Sequence, residues 1–438
     1  MDQTEALIIE MIDRHREEIL EFARDIYSHA ELGYKEFQTS GKFVKKMEQL
    51  GLRTEKGFAI TGVKAYLNED KKENASLALL GELDALRIPE HAFANPETNA
   101  AHCCGHHAQM AGVFGAALAL TVPEIAEKLD GQVVFFATPA EEYGEIEFKN
   151  RLREQGKIRY GGGKCELLRI GAFDDIDLCL THHIRPGNEI LVGSGTGNGF
   201  VSKVIRVLGK ASHAAGAPEK GVNALSAASL GLQALGLNRE TFRDEDCVRV
   251  HPIITKGGNL VNVIPDEVVV ETLVRGKTIE AFTDAAKKTD RSFKAGAIAM
   301  GAKVEISTLP GYLPTLAEEA LPELKHAAEI SASGIPVIEA SGHAGGSTDV
   351  GDVQHLMPVY TFNTGGVKGG LHQIDFEVTD EEEAYIVTAK MFALAAYGLL
   401  KEKAQRSREL VDQYEPVFKN SAEYVEFMEQ FDSKEIFE

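Results

Sequence analysis

The chain has 438 residues, 44% of them apolar, with a formal net charge of -21, so it is too long for one ordinary core and two packed domains are expected. The acidic balance excludes a nucleic-acid partner, which needs clustered Lys and Arg to neutralise phosphates. Five cysteines fit reduced thiols better than a disulfide framework, no apolar run approaches the ~18–20 residues of a membrane span, and the charged amphipathic start is unlike a secretion signal. No membrane partner and a cytoplasmic location are therefore the expectations.

Residues 5 to 28 carry Leu7, Ile8, Met11, Ile12, Ile19, Leu20, Phe22, Ala23 and Ile26 at helical spacing, which predicts one amphipathic helix. A second helix follows at about 36 to 50. Short apolar runs at 63–67, 75–81, 132–138 and 177–182 read as strands, with helices at about 108–128 and 160–170 between them. This alternation predicts an α/β layer with a largely parallel sheet. Near residue 190 the texture changes. Strand 203–208, helix 221–236, strands 247–255 and 267–274, helix 278–297 and strand 303–307 form the pattern of a small α+β domain. After a turn at LPGYLP (309–314) the α/β texture resumes, with a strand at 358–362, a helix from about 380 to 403 and a charged helical tail. The small domain thus reads as an insertion at 191–309 into a larger domain built from 1–190 and 310–438.

Four segments carry candidate chemistry. AHCCGHHAQ (101–109) packs His102, Cys103, Cys104, His106 and His107 around Gly105, which permits a tight turn; Cys and His at this density suit Zn, Co, Mn or Ni. TPAEEYGE (138–145) follows an apolar strand, and strand ends are where open α/β sheets place their sites. Glu141 and Glu142 cannot face the same way on an extended chain, so one can bind a metal while the other acts as a general base. THHIRPG (181–187) ends another strand, and only one of His182 and His183 can face a metal. GLHQIDF (370–376) offers His372 in a loop. The insertion adds His213, Asn262 and Arg275, residue types that on composition alone are ordinary turn and surface residues.

Taken in order, these segments resemble the M20 metallopeptidase and amidohydrolase family. The likeness runs through AELGYKEF (30–37), LGELDALRIPE (80–90), CGHHAQMAG (104–112), PAEE (139–142), HHIRP (182–186), GSTDVGDV (346–353) and LHQIDF, and is strongest toward the amidohydrolase branch of the family and its aminobenzoyl-glutamate utilisation protein B group. The resemblance implies an M20-type α/β catalytic domain with an inserted α+β lid or dimerisation domain. It implies two divalent ions (Zn, Mn or Co, with Ni a further option) held by Cys104, His106, Glu142, His183 and His372. It also implies Glu141 as general base, Asp84 as the aspartate of the first motif, His213 polarising the scissile carbonyl, and Asn262 and Arg275 holding substrate. Glu82 departs from the histidine of the peptidases proper, and His107 and Gln109 depart from the usual CGHDxH.

The expected activity is amide hydrolysis by metal-activated water, on a small substrate bearing a carboxylate: an N-acyl amino acid, an aminobenzoyl-glutamate-like conjugate or a dipeptide. A homodimer or higher homo-oligomer is expected from the inserted domain. Two rivals stand beside this reading. One is an amide hydrolase with Cys103 or Cys104 as nucleophile; the other is a non-catalytic metal-binding component of a hydrolase complex.

Overall fold

The computed structural model describes residues 1–332 and 334–438. The chain divides into two compact units. The first comprises Met1–Gly195, Leu316–Gly342 and Asp352–Ser421, and the second Thr196–Thr315, His343–Gly351 and Ala422–Glu438.

The first unit is built on an eight-stranded sheet. Its order is Arg53–Phe58, Gly62–Leu67, Gln132–Thr138, Ser76–Glu82, Leu178–Ile184, Val359–Thr364, Ile190–Val192, Val337–Glu339. The four central strands, from Gln132–Thr138 to Val359–Thr364, run parallel, and antiparallel pairs flank them. Every residue of Ser76–Glu82 and Gln132–Thr138 is buried, which explains why these runs read as continuous apolar stretches rather than as alternating ones. The helix His106–Leu120 is buried along its whole length. It packs on the last long helix through Gly112 and Gly115, where an added Cβ would come within 2.5 Å of Thr388 and Ala389.

Several elements differ from the sequence reading. The single N-terminal helix is two, Gln3–Arg14 and Arg16–Ser28, separated at His15. The strand at 303 continues through the anticipated turn to Tyr312. Helix Thr388–Gln413 is interrupted at Lys401–Ala404, where Glu402, Lys403 and Ala404 take left-handed backbone angles. Glu382–Gln413 is long and apolar enough to cross a bilayer, but 89% of its apolar window is buried inside the fold, as expected of a core helix. The charged tail is only partly helical. It ends in a strand, Ser433–Phe437, paired antiparallel with Lys303–Tyr312.

The second unit is a two-layer α+β structure. Its antiparallel sheet has the order Arg249–Val250, Glu267–Gly276, Gly199–Leu208, Lys303–Tyr312, Ser433–Phe437, with Ile253–Lys256 also paired to Glu267–Gly276. Burial alternates along Glu267–Gly276, so one face carries the core. Ile205, Val207, Val268, Val270 and Val304 pack there against Ala228, Phe293 and Ala297 of helices Ala224–Asn238 and Ile279–Met300. Asn223 and Thr278 cap these helices by accepting backbone N–H groups of the first turn.

Candidate metal centre

The parallel register of the first unit determines where its ligand-type side chains gather. Glu82 is paired with Thr138, and Leu79 with Leu180. Three residues on, His183 therefore stands level with Glu82, and Pro139–Glu142 leaves the neighbouring strand at the same edge. The carboxyl ends of three adjacent strands thus meet in one place, as open α/β sheets arrange their sites.

Cys104 and His106 reach this edge through Gly105, whose φ of 85° lies in the left-handed region, and a Cβ there would stand 1.9 Å from Ile184 Cγ2. Cys104 Sγ is 3.3 Å from His183 Nε2 and 3.2 Å from His372 Nε2. His372 Nε2 is in turn 3.2 Å from Glu142 Oε1. His372 is half exposed, on a loop tied down by its backbone N–H to the Cys103 carbonyl at 2.9 Å. His106 Nε2 lies 3.0 Å from Glu82 Oε2 and 4.0 Å from Glu141 Oε2. Three ligand sets arise among the described residues, each with its atoms within 4.8 Å of one another: Cys104, His106 and His183; Cys104, Glu142 and His372; Glu82, His106 and Glu141.

The proton inventory shows what this cluster lacks. His106 Nδ1 faces the Asp84 carbonyl at 2.8 Å and His183 Nδ1 the Ile184 carbonyl at 2.7 Å. A carbonyl only accepts, so both Nδ1 atoms carry a proton, and each ring when neutral aims a lone pair from Nε2 into the cluster. Cys104 has one thiol proton to share between two imidazoles. The buried His106 Nε2 and Glu142 Oε1 make no hydrogen bond of acceptable geometry. The surplus of acceptors fits cations bound among them, and orientation of imidazoles by second hydrogen bonds is the usual arrangement at metal sites. With no cation bound, a proton takes its place on His106. Burial works against charging His106, but the Glu82 carboxylate and the Asp84 hydrogen bond overcome it and raise its pKa well above the ordinary range. Burial and the Glu142 charge push the Cys104 thiol well up, so without a cation it stays protonated.

Asp84 holds the carboxylate pair. Its Oδ1 accepts the Glu141 N–H at 3.2 Å and its Oδ2 the Glu142 N–H at 3.0 Å. Behind them Glu36 accepts the Ala140 N–H at 2.8 Å and the Thr61 hydroxyl at 2.6 Å; burial and the nearby Asp84 charge raise its pKa to about 7. Ala140 itself has a φ of 50°, a bend that separates the directions of the strand and the Glu pair.

Other histidines of the motifs point away from the cluster. His182 packs against Phe362 and donates to or accepts from Thr364 Oγ1 at 2.8 Å. His102 is buried with neither ring nitrogen bonded, and His107 lies against Tyr27 with its Nε2 3.2 Å from the Tyr385 hydroxyl. Cys103 is buried and its thiol is raised by that burial to about 12.

His213, Asn262 and Arg275 belong to the second unit. His213 pairs with Val263 as an isolated bridge, and the Asn262 carbonyl accepts the Ala214 N–H at 3.0 Å, so His213 and Asn262 are neighbours there. His213 Nδ1 accepts the Gly216 N–H at 3.0 Å, which leaves Nε2 as the donor. Arg275 donates to Ser347 at 2.8 Å and covers the Phe200 ring.

Sequence reasoning missed Lys164 and Glu36 as parts of this region, and named Gln109 only as a departure from the CGHDxH pattern. Lys164 Nζ is 2.5 Å from Glu82 Oε1, and Gln109 Nε2 donates to Glu82 Oε2 at 2.8 Å. A signal for Lys164 existed: Leu167 and Leu168, at i+3 and i+4, put it on the apolar face of its helix.

Catalysis of amide cleavage calls for a general base beside groups that polarise a carbonyl, and an amide hydrolase is the class that this fold and site define. Residues 78–397, more than half of the chain, match peptidase family M20/M25/M40, and the protein belongs to that family. Among its relatives, the Xaa-Arg dipeptidase of Mus musculus is 27% identical over 408 residues, covering 90% of this chain and 85% of the relative. A p-aminobenzoyl-glutamate hydrolase chain of Escherichia coli is 27% identical, covering 70% of this chain and 60% of the relative. The fold is shared with a dinuclear metal-binding M20 peptidase of Bacillus subtilis at a TM-score of 0.62 and 24% identity, covering 89% of this chain and 99% of that one.

Proposed function

We propose that the protein is a metal-dependent amidohydrolase whose two divalent ions are held by Cys104, His106, Glu142, His183 and His372. The observation that carries this reading is the thiol of Cys104 set between His183 Nε2 and His372 Nε2, with Glu142 on one side and His106 on the other. Zn, Mn, Co and Ni all suit this donor set of one thiol, three imidazoles and a carboxylate. Such ions supply Lewis acidity and lower the pKa of water, to ~7 on zinc.

Glu141 is the general base of this proposal. Its backbone is tied to Asp84, and its carboxylate faces the His106 side of the cluster. It takes the proton of the attacking water and returns it to the leaving amine. Asp84 acts through others, by holding the backbones of Glu141 and Glu142 and the ring of His106. By resemblance to the family, the candidates for substrate contact are Arg275 for a carboxylate, Asn262 for a carbonyl, and His213 for the charge that develops on the carbonyl oxygen. The substrate class is an N-acyl amino acid, an aminobenzoyl-glutamate-like conjugate or a dipeptide with a free carboxylate. A homodimer in the cytoplasm is the working form of this proposal.

The Cys104–His183 contact also matches the spacing of a thiol nucleophile and its base, the rival reading. The thiolate is the reactive form in both readings, as nucleophile in one and as ligand in the other, so dependence on metal separates them. A screen of N-acyl amino acids, aminobenzoyl-glutamate and dipeptides against metal-reconstituted protein, scored by release of free amine, tests the proposal. Turnover that survives exhaustive chelation but not thiol alkylation would replace it with the cysteine mechanism.

A further inference from the structure

We propose that Lys164 is a positioning residue that keeps Glu82 out of the coordination sphere of the metal centre. This rests on the metal-centre reading above. Glu82 is within reach of that centre: its carboxylate, His106 Nε2 and the Glu141 carboxylate lie within 4.8 Å of one another. An additional carboxylate on a catalytic ion would fill a position needed for water or substrate, since catalytic sites keep one position open.

Besides His106 Nε2 at 3.0 Å from Oε2, three contacts hold Glu82 where it is. Lys164 Nζ meets Oε1 at 2.5 Å, Gln109 Nε2 meets Oε2 at 2.8 Å, and Gln109 Oε1 accepts the Glu82 backbone N–H at 2.9 Å. Lys164 has no exposed surface, Gln109 1% and Glu82 3%. The lysine cannot follow its partner if the carboxylate swings away. It is the second residue of the helix Gly163–Arg169, whose first residue, Gly163, donates its N–H to the Ala140 carbonyl at 3.0 Å. Gly163 sits so close to Pro139 that an added Cβ would come within 1.6 Å of the Pro139 carbonyl oxygen. The start of this helix is thus fixed to the loop that carries Glu141 and Glu142. Movement of Glu82 toward an ion would part a buried ammonium from its carboxylate, which is strongly unfavourable.

Cobalt(II) binding tests this, because the intensity of cobalt's visible bands falls as its coordination number rises. Wild type, E82Q, K164M and the double variant E82Q/K164M would each be titrated with cobalt(II), reading bound cobalt per chain and visible absorbance. The expected result is that E82Q keeps the wild-type stoichiometry and spectrum. K164M, with Glu82 released, loses band intensity by about two-fold or more, and the double variant regains it. A purely structural role for Lys164 would not be reversed by removing Glu82 as well. An E82Q spectrum that differs from wild type, or loss of an ion in E82Q, would show Glu82 to be a ligand and overturn the proposal. So would a folded K164M with the wild-type spectrum. If K164M does not fold, K164Q takes its place, with the same expected loss of intensity and the same reversal by E82Q. Absence of cobalt binding by wild type would instead remove the metal-centre reading, and this proposal with it.

Discussion

Asp84 Oδ2 accepts the backbone N–H of Glu142 at 3.0 Å. The other oxygen of the same carboxylate takes the N–H of Glu141, so a single side chain sets the direction of both glutamates. An amide in its place presents only one acceptor. Asp84→Asn is expected to weaken divalent-ion affinity by about 10- to 100-fold, the usual cost of losing an orienting partner, while the protein stays folded. Competition with a chromophoric chelator measures the affinity and circular dichroism the fold; unchanged affinity would remove Asp84 from this role.

Glu141→Gln preserves shape and removes the base. Bound metal should remain at the wild-type stoichiometry while kcat falls by about 10²–10⁴-fold, the range for loss of general acid–base catalysis. Metal content by atomic absorption and amine release together make the test. A variant with near-normal kcat would disqualify Glu141.

Chelation and alkylation act on the same thiol in different ways. Removal of divalent ions is expected to abolish turnover reversibly, and re-addition of Zn, Mn or Co to restore it. Cys104 should resist iodoacetamide in the metal-loaded protein, where it is coordinated, and react after chelation, but more slowly than an exposed thiol because it is then buried and protonated. Mass spectrometry of the modified peptide reads the outcome.

Gly105→Ala combines two penalties, a left-handed φ of 85° and a Cβ placed 1.9 Å from Ile184 Cγ2. Left-handed backbone costs roughly 1–2 kcal/mol per non-glycine residue and overpacking ~1–3 kcal/mol. The variant is expected to lose about 2–5 kcal/mol of stability by urea denaturation. It should also lose metal affinity, since Cys104 and His106 flank the turn.

Glu318 provides a pH test away from the centre. Burial raises its pKa to about 8, against the hydrogen bonds that it accepts from Thr361 and Gln354. A folded-state pKa above the unfolded value means that the folded protein binds the proton more tightly. Its contribution to stability is therefore complete below the ordinary glutamate range of about 4.5 and lost as pH rises to about 8. Glu318→Gln, which stays neutral, should flatten the decline of Tm across that window. An identical decline in wild type and variant would show that Glu318 does not titrate there.

The order of helices and strands in the first unit, its parallel sheet and the segments holding the ligand-type residues were legible in the chain. Apolar runs such as VVFFAT and the density of AHCCGHHAQ report burial and chemistry locally. The His182–His183 pair shows the limit of this. Strand alternation says that they face opposite ways, but only pairing with Ser76–Glu82 and Val359–Thr364 sends His183 to Cys104 and His182 into the aromatic core.

What the sequence by itself determined is the inventory: which residues can ligate, which can act as base, and that strand ends would present them. The tertiary structure alone decided that Lys164 pairs with Glu82, that Glu36 supports the Ala140 bend, and that Ser433–Phe437 adds an edge strand to a sheet far back in the chain. Glu82 and Lys164 are 82 residues apart and Glu36 and Ala140 104. Contacts at such separations follow from strand register and helix docking, which no local spacing of residues encodes.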